Sequence, residues 1–164
     1  MTMASTNMYL KLDGIDGESL DQDHQDWIEV ESLSWGVSNP ASFSIAQGGQ
    51  ATQADVSSFN IAKHMDKASV NLFKASNTGK HIASGNLECL KLDGDSRVVF
   101  FKVDFTDLVV TSVQWSGSGS DQALHEMVSF AFSEFKQSYK LQQDAGAAGG
   151  STDFGFNIQT SKAT

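Results

Sequence analysis

Few residues in this 164-residue chain could do chemistry, and their spacing matches no catalytic pattern. The four histidines, His24, His64, His81 and His125, never fall within four residues of one another, so no zinc-type pair is written locally. They could converge only through the fold, and each reads first as a surface or hydrogen-bonded histidine. The one cysteine, Cys89, sits in a strand-like stretch, where a small buried thiol is expected rather than a nucleophile. A single cysteine also excludes an internal disulfide and a four-cysteine metal site.

Six acidic residues crowd one segment: Asp13, Asp16, Glu18, Asp21, Asp23 and Asp26. A calcium loop of the EF-hand type needs oxygen ligands at positions 1, 3 and 5, glycine at 6 and glutamate at 12. Counting from Asp21 puts Gln25 fifth and Asp26 sixth, and counting from Asp93 puts Arg97 fifth. Both frames fail, which leaves a solvated acidic loop. Gly117-Ser118-Gly119-Ser120 resembles half a phosphate loop. However, Gln122 stands where the dinucleotide fingerprint has its third glycine, and a strand-like alternation follows instead of a helix. No G-x-S-x-G elbow occurs, and no spacing points to a carboxylate pair for glycoside chemistry. The expectation is no catalytic, cofactor-binding or metal residue, no cofactor, and no enzyme.

The totals agree. Eleven basic residues, of which Arg97 is the one arginine, face 20 acidic ones for a net charge of -9. Phosphate backbones call for the opposite balance, so nucleic acid is not an expected partner. The eleven phenylalanines are therefore core residues rather than a base-stacking platform. With 40% apolar residues, the chain can bury a core within one domain. The longest uncharged run, residues 32–54, is too rich in Ser, Asn, Gln, Thr and Gly to enter a membrane. The polar start, MTMASTNM, has neither the basic nor the apolar part of a secretory leader.

Positioning falls mainly to strands, because a period of two dominates. Strands are expected at residues 8–12, 27–37, 82–92, 99–105, 108–115, 128–132 and 154–158. Val56, Phe59 and Ile61 mark another, with a one-residue slip that suggests a bulge. Asp93-Gly94-Asp95 reads as a hairpin turn. One helix is expected over about 66–78, capped by Asp66 and striped by Ala68, Leu72 and Ala75, with Val70 and Phe73 widening the stripe. Gly79 suits the left-handed position that ends it. Residues 38–55 form a long loop in which Phe43 and Ile45 suggest a protruding hairpin arm, and residues 144–152 read as a flexible linker. The expected fold is mainly β: a barrel with one attached helix and a long protruding loop. Only Pro40 is available to blunt strand edges, so the edges either close in the barrel or serve assembly.

The opening Tyr9-Leu10-Lys11-Leu12-Asp13-Gly14-Ile15-Asp16-Gly17-Glu18-Ser19, with His24, Trp27-Ile28-Glu29-Val30 and Ser34-Trp35-Gly36, resembles that of haemolysin co-regulated protein (Hcp). This family is the tube protein of bacterial type VI secretion systems. The likeness continues in Lys63-His64-Met65-Asp66-Lys67-Ala68-Ser69, in residues 109–119, in Glu126-Met127-Val128-Ser129-Phe130, and in Gly149-Gly150 and Phe156-Asn157-Ile158. It spans about residues 8–161, leaving 1–7 as a flexible N-terminus. Departures are small: a slightly long N-terminus, and Phe154-Gly155-Phe156 where many relatives have Gly-Trp.

The resemblance implies a two-sheet β-barrel domain over 8–161, assembled as homo-hexameric rings that stack head to tail into a hollow tube. A contractile sheath would propel that tube, with its spike, out of the cell, with effectors carried in the bore in some systems. The implied location is assembly in the bacterial cytoplasm followed by secretion without a cleaved signal peptide, with no membrane insertion. No fused C-terminal toxin, present in some members, is expected. The likeness makes Ser34 the candidate lumen-facing residue, while alternation alone leaves Ser34 and Trp35 both open. The arm corresponds to the loop that reaches a neighbouring ring, with Phe43, Ile45, Gln47 and Gln50 as stacking candidates. Two other readings stand beside this one: a phage-type tail tube protein, and a small metal-dependent enzyme using the acidic loop.

Overall fold

A computed structural model describes residues 6–44, 48–50, 53–93, 95–142 and 148–164. The chain begins with β1 (Asn7–Leu12), where Leu10 and Leu12 point inward. After the acidic loop come β2 (Ile28–Val30), β3 (Ser32–Ser34) and β4 (Val37–Ser38), then β5 (Ser42–Ser44), β6 (Gly48–Gln50), β7 (Asp55–Val56) and β8 (Phe59–His64). Helix α1 (Ser69–Thr78) separates these from β9 (His81–Asp93), β10 (Ser96–Ser116), β11 (His125–Gln142), β12 (Ala148–Asn157) and β13 (Lys162–Ala163).

Nine strands share one antiparallel sheet in the order β13-β12-β11-β10-β9-β1-β2, with β3 and β8 branching from β11. β11 makes the branch possible by changing partners along its length. Its first part, His125 to Phe130, pairs with β8, and Glu134 onward pairs with β12. The ladders do not run as one closed ring: β2 pairs with β1 up to Val30, and β3 pairs with β8 from Ser32. Inward side chains from both arms of the branch meet in one core that includes Leu10, Ile28, Phe59, Ile61, Val103, Phe105, Val128 and Phe130. The segment expected as a single strand over 27–37 is thus three short strands.

The expected arm is two small ladders outside the main sheet: β4 with β7, and β5 with β6. Val56 therefore belongs to β7 and Phe59 to β8, so the slip between them is a change of sheet rather than a bulge. The two strands expected over 99–105 and 108–115 are one, β10, continuous through Asp107. Asp107 adopts a positive φ of 53° without ending the pairing. Bulges at Val99/Phe101 against β9 and at Val110/Ser112 against β11 bend this long strand. β9 and β10 pair on either side of the expected Asp93-Gly94-Asp95 turn, with Asp93 opposite Ser96, while Gly94 lies outside the described residues. Residues Ala148 to Thr152, expected as linker, belong to β12 and pair with β11, while 144–147 lie outside the described residues.

Helix α1 buries Ala68, Leu72 and Ala75 as its period requires, and it packs on β10. Gly79 ends it at φ 64°, its N–H bonded to the Ala75 carbonyl. Two expectations fail here. Val70 and Phe73 stay exposed, because the buried stripe is only as wide as the single strand beneath it. Asp66 does not cap the first turn; its Oδ1 accepts from the Ala68 N–H at 2.9 Å, ordering the turn before the helix.

Candidate functional site

The outward face of β3, β8 and β11 is built by alternation. Leu33 and Trp35 turn inward, with Trp35 held edge-on by Phe59, Phe105, Phe132 and Phe135 at centroid distances of 4.8–6.0 Å. Its indole N–H donates to the Ser57 carbonyl at 3.1 Å. Ser34 is consequently exposed, while Trp35 is half-buried. Across the strands, Asn60 Nδ2 reaches Ser34 Oγ at 3.5 Å, and Ser129 Oγ donates to Asn60 Oδ1 at 2.6 Å. Ser34, Asn60 and Ser129 thus form one hydrogen-bonded row of hydroxyl and amide groups across β3, β8 and β11.

Phe43 stands at the opposite extreme. It lies on β5 and is 90% exposed. That ring lies outside the main sheet and contributes nothing to the core. Gln50 lies in β6, while Ile45 and Gln47 fall outside the described residues. At the base of the arm an apolar groove of about 330 Å³ runs between Trp35, Val37 and Val56 on one side and Phe135, Phe154 and Phe156 on the other.

The acidic loop keeps Asp13, Asp16, Glu18, Asp23 and Asp26 exposed, as expected, but other residues anchor it to the fold. Gly17 lets it lie flat against the start of β2, since a Cβ there would come within 2.5 Å of the Trp27 carbonyl. Its N–H donates to the Asp26 carbonyl at 2.8 Å. His24 is buried, stacked on Tyr9 at 4.6 Å, with Nδ1 on Asp21 at 2.8 Å and Nε2 on Glu88 at 2.5 Å. Arg97 reaches back to Asp21 and to the Tyr9 hydroxyl. Burial alone would raise the Asp21 carboxyl, but hydrogen bonds from His24, Arg97 and the Asp23 N–H outweigh it and hold the group below its usual 3.8. A carboxyl lowered in the folded state adds stability above the unfolded value, and that stability is lost as pH falls through the folded one. Urea midpoints should therefore decline below about pH 4, and the decline should be shallower in Asp21→Asn. That variant should lose about 1.5–3 kcal/mol at neutral pH, the usual range for hydrogen bonds to a charged group. An unchanged acid limb in Asp21→Asn would show the loop's anchoring to be unimportant.

A second polar network lies deeper, and nothing in the spacing announced it. Lys63 and Glu126 are both fully buried. Lys63 Nζ donates to Glu126 Oε1 at 2.7 Å, Asp66 Oδ1 at 2.8 Å and the His64 carbonyl at 3.0 Å. Ser69 Oγ lies 3.2 Å from both Lys63 Nζ and Glu126 Oε1, and Trp115 Nε1 closes the set on Glu126. The group ties β8, β11, β10 and the start of α1 together. Cys89 is inert by contrast: burial pushes its thiol up to about 11. The Gly117–Ser120 stretch is a turn closed by Ser118 and Asp121, whose N–H groups bond each other's side chain and carbonyl.

The histidines do converge in one place. His125 on β11 lies directly opposite His64 on β8, with ring centroids 5.1 Å apart, and the Glu31 carboxylate contacts His64. His81 stays apart, paired with Asp107 at 2.7 Å.

These side chains thus divide between fixing the fold and facing outward, which is the layout of a binding or assembly surface. Comparison with known proteins agrees. The family described as "Type VI secretion system effector, Hcp" matches residues 9–139. The protein hcp1 of Pseudomonas aeruginosa is 32% identical over 156 residues, covering 94% of this chain and 96% of that protein.

The chain belongs to the Hcp family.

That places it among the tube proteins of type VI secretion. Solved Hcp structures agree over nearly the full length. A type six secretion system protein superposes with a TM-score of 0.91 at 34% identity, covering 98% of this chain and 100% of the other. Hcp1 from Salmonella typhimurium gives 0.82 at 34% identity, covering 99% and 100%. For this Hcp chain, the opening motif is mostly structural. Tyr9, Gly17, His24 and Trp27 order the loop, and the Lys63–Ser69 block supplies the buried network. No helix among the described residues is long and apolar enough to cross a membrane.

Proposed function

We propose that this Hcp subunit, as a single domain over residues 8–161, forms six-membered rings that stack head to tail into a hollow tube. Its work is geometric rather than catalytic. Contractile sheath, spike and carried effectors are its partners, with assembly in the cytoplasm followed by export. The observation that carries this is the likeness to other Hcp proteins, which covers 98% of this chain at a TM-score of 0.91. The exposed faces support it. A hydroxyl-lined strip around Ser34 suits a bore wall, since cargo can be held by many weak hydrogen bonds and still move. A barrel-like wrap is supported at residues 28–34, where the Glu31 N–H, between β2 and β3, donates to the Ala62 carbonyl of β8 at 2.9 Å. Phe43 on its arm is the group that meets the next ring.

Sedimentation of the purified protein tests this directly. A mass near six times 17.7 kDa, with annular particles in negative stain, is the expected result. A monomer at every concentration and salt would overturn it.

A further inference from the structure

The geometry points to a site for one late first-row divalent metal ion, zinc foremost, formed by Glu31, His64 and His125. All three side chains are exposed, and their ligand atoms already lie within 4.8 Å of one another. Tetrahedral zinc with bonds of about 2.0 Å spaces its ligands about 3.3 Å apart, so small rotamer adjustments of surface side chains bring the three donors into place. The backbone needs no such change. His64 and His125 are register partners on adjacent strands, and the Glu31 N–H donates to the Ala62 carbonyl two residues from His64. Among the described residues, the His125 ring makes no hydrogen bond, which leaves its nitrogens available to a metal.

The donor set decides the class of ion. Two imidazoles and one carboxylate select zinc, copper or nickel, whereas calcium and magnesium require oxygen shells. Three protein ligands leave a fourth position open to water or to a group brought by a partner. Glu31 and His64 also line a cleft of about 700 Å³ together with Glu18, Glu29 and Asp66. That acidic lining concentrates cations at the site. A bound ion would join the bend between β2 and β3 to β8 and β11, where the hydrogen-bonded ladder changes partners. The site does not depend on the ring reading, because all its ligands come from one chain.

Tag-free protein, stripped with chelator, should be titrated with zinc chloride and copper chloride by calorimetry and thermal melting. One ion per chain should bind and raise the melting midpoint, as a ligand of the folded state must. Calcium and magnesium should do neither, and copper should give a spin-resonance signal coupled to two nitrogens. His64→Ala and His125→Ala should each weaken zinc binding at least tenfold, Glu31→Gln should weaken it less, and His81→Ala should leave it unchanged. These side chains are on the surface, so circular dichroism should show every variant folded. The proposal fails if neither metal shows saturable uptake by about 1 mM, if uptake survives the His64/His125 double substitution, or if calcium stabilises equally.

Discussion

Lys63→Met is expected to cost about 3–5 kcal/mol of folding stability, the usual result of removing one partner from a buried ion pair. The substituted side chain fills nearly the same space, so packing is not the cause. The loss arises because Glu126, fully buried, loses the ammonium that donates to it at 2.7 Å. Domains of this size are stable by only about 5–15 kcal/mol, so the variant should melt far below the parent or fail to accumulate. Glu126→Gln should cost less, because Asp66 at 2.8 Å still balances the Lys63 charge and the amide oxygen can still accept from Trp115. The double change Lys63→Met/Glu126→Leu should recover much of the loss, since neither buried charge is then stranded. Urea denaturation of the parent, Lys63→Met, Glu126→Leu and the double variant makes a cycle. A Lys63→Met midpoint within error of the parent would show that the pair is not isolated from water.

The same residues explain why part of this protein was legible in its sequence and part was not. Alternation identifies β1 and β9, and the 68/72/75 spacing identifies α1, because each has one wet face and one dry face. Lys63 and Glu126 defeat that logic. In an alternating strand a charged residue reads as outward, yet both point inward and satisfy each other. Asp107 misleads in another way. A polar residue between two apolar runs looks like a turn, but its left-handed backbone is absorbed inside one continuous strand. Strand register is equally hidden, so the opposition of His64 and His125 follows from β8 pairing with β11 and from nothing in their spacing. The opposite exposure of Ser34 and Trp35 depends on the aromatic pocket that accepts the indole, which no spacing shows. Motif resemblance, by contrast, reached the family because the opening segment is fixed by many contacts at once, from Gly17 against Trp27 to His24 between Asp21 and Glu88.

Phe43→Asp should abolish ring stacking while leaving the single ring and its melting temperature unchanged. The side chain is 90% exposed in the isolated subunit, so replacing it removes no contact that holds the fold. Under the proposed stacking, its burial against the next ring is worth about 1.5–3 kcal/mol per copy. Six copies act together at one junction, so the contributions multiply to about 9–18 kcal/mol before the cost of ordering the arms. A modest change in one side chain thereby becomes all-or-none in the assembly, and the introduced carboxylates add repulsion to a chain already at -9. Phe43→Leu, which keeps most of the apolar area, should shorten stacks without eliminating them. Electron microscopy and sedimentation separate these outcomes: rings alone for Phe43→Asp, short tubes for Phe43→Leu, long tubes for the parent. Tubes of parental length from Phe43→Asp would show that stacking uses another surface, with the apolar groove between Val37 and Phe154 as the next candidate to substitute.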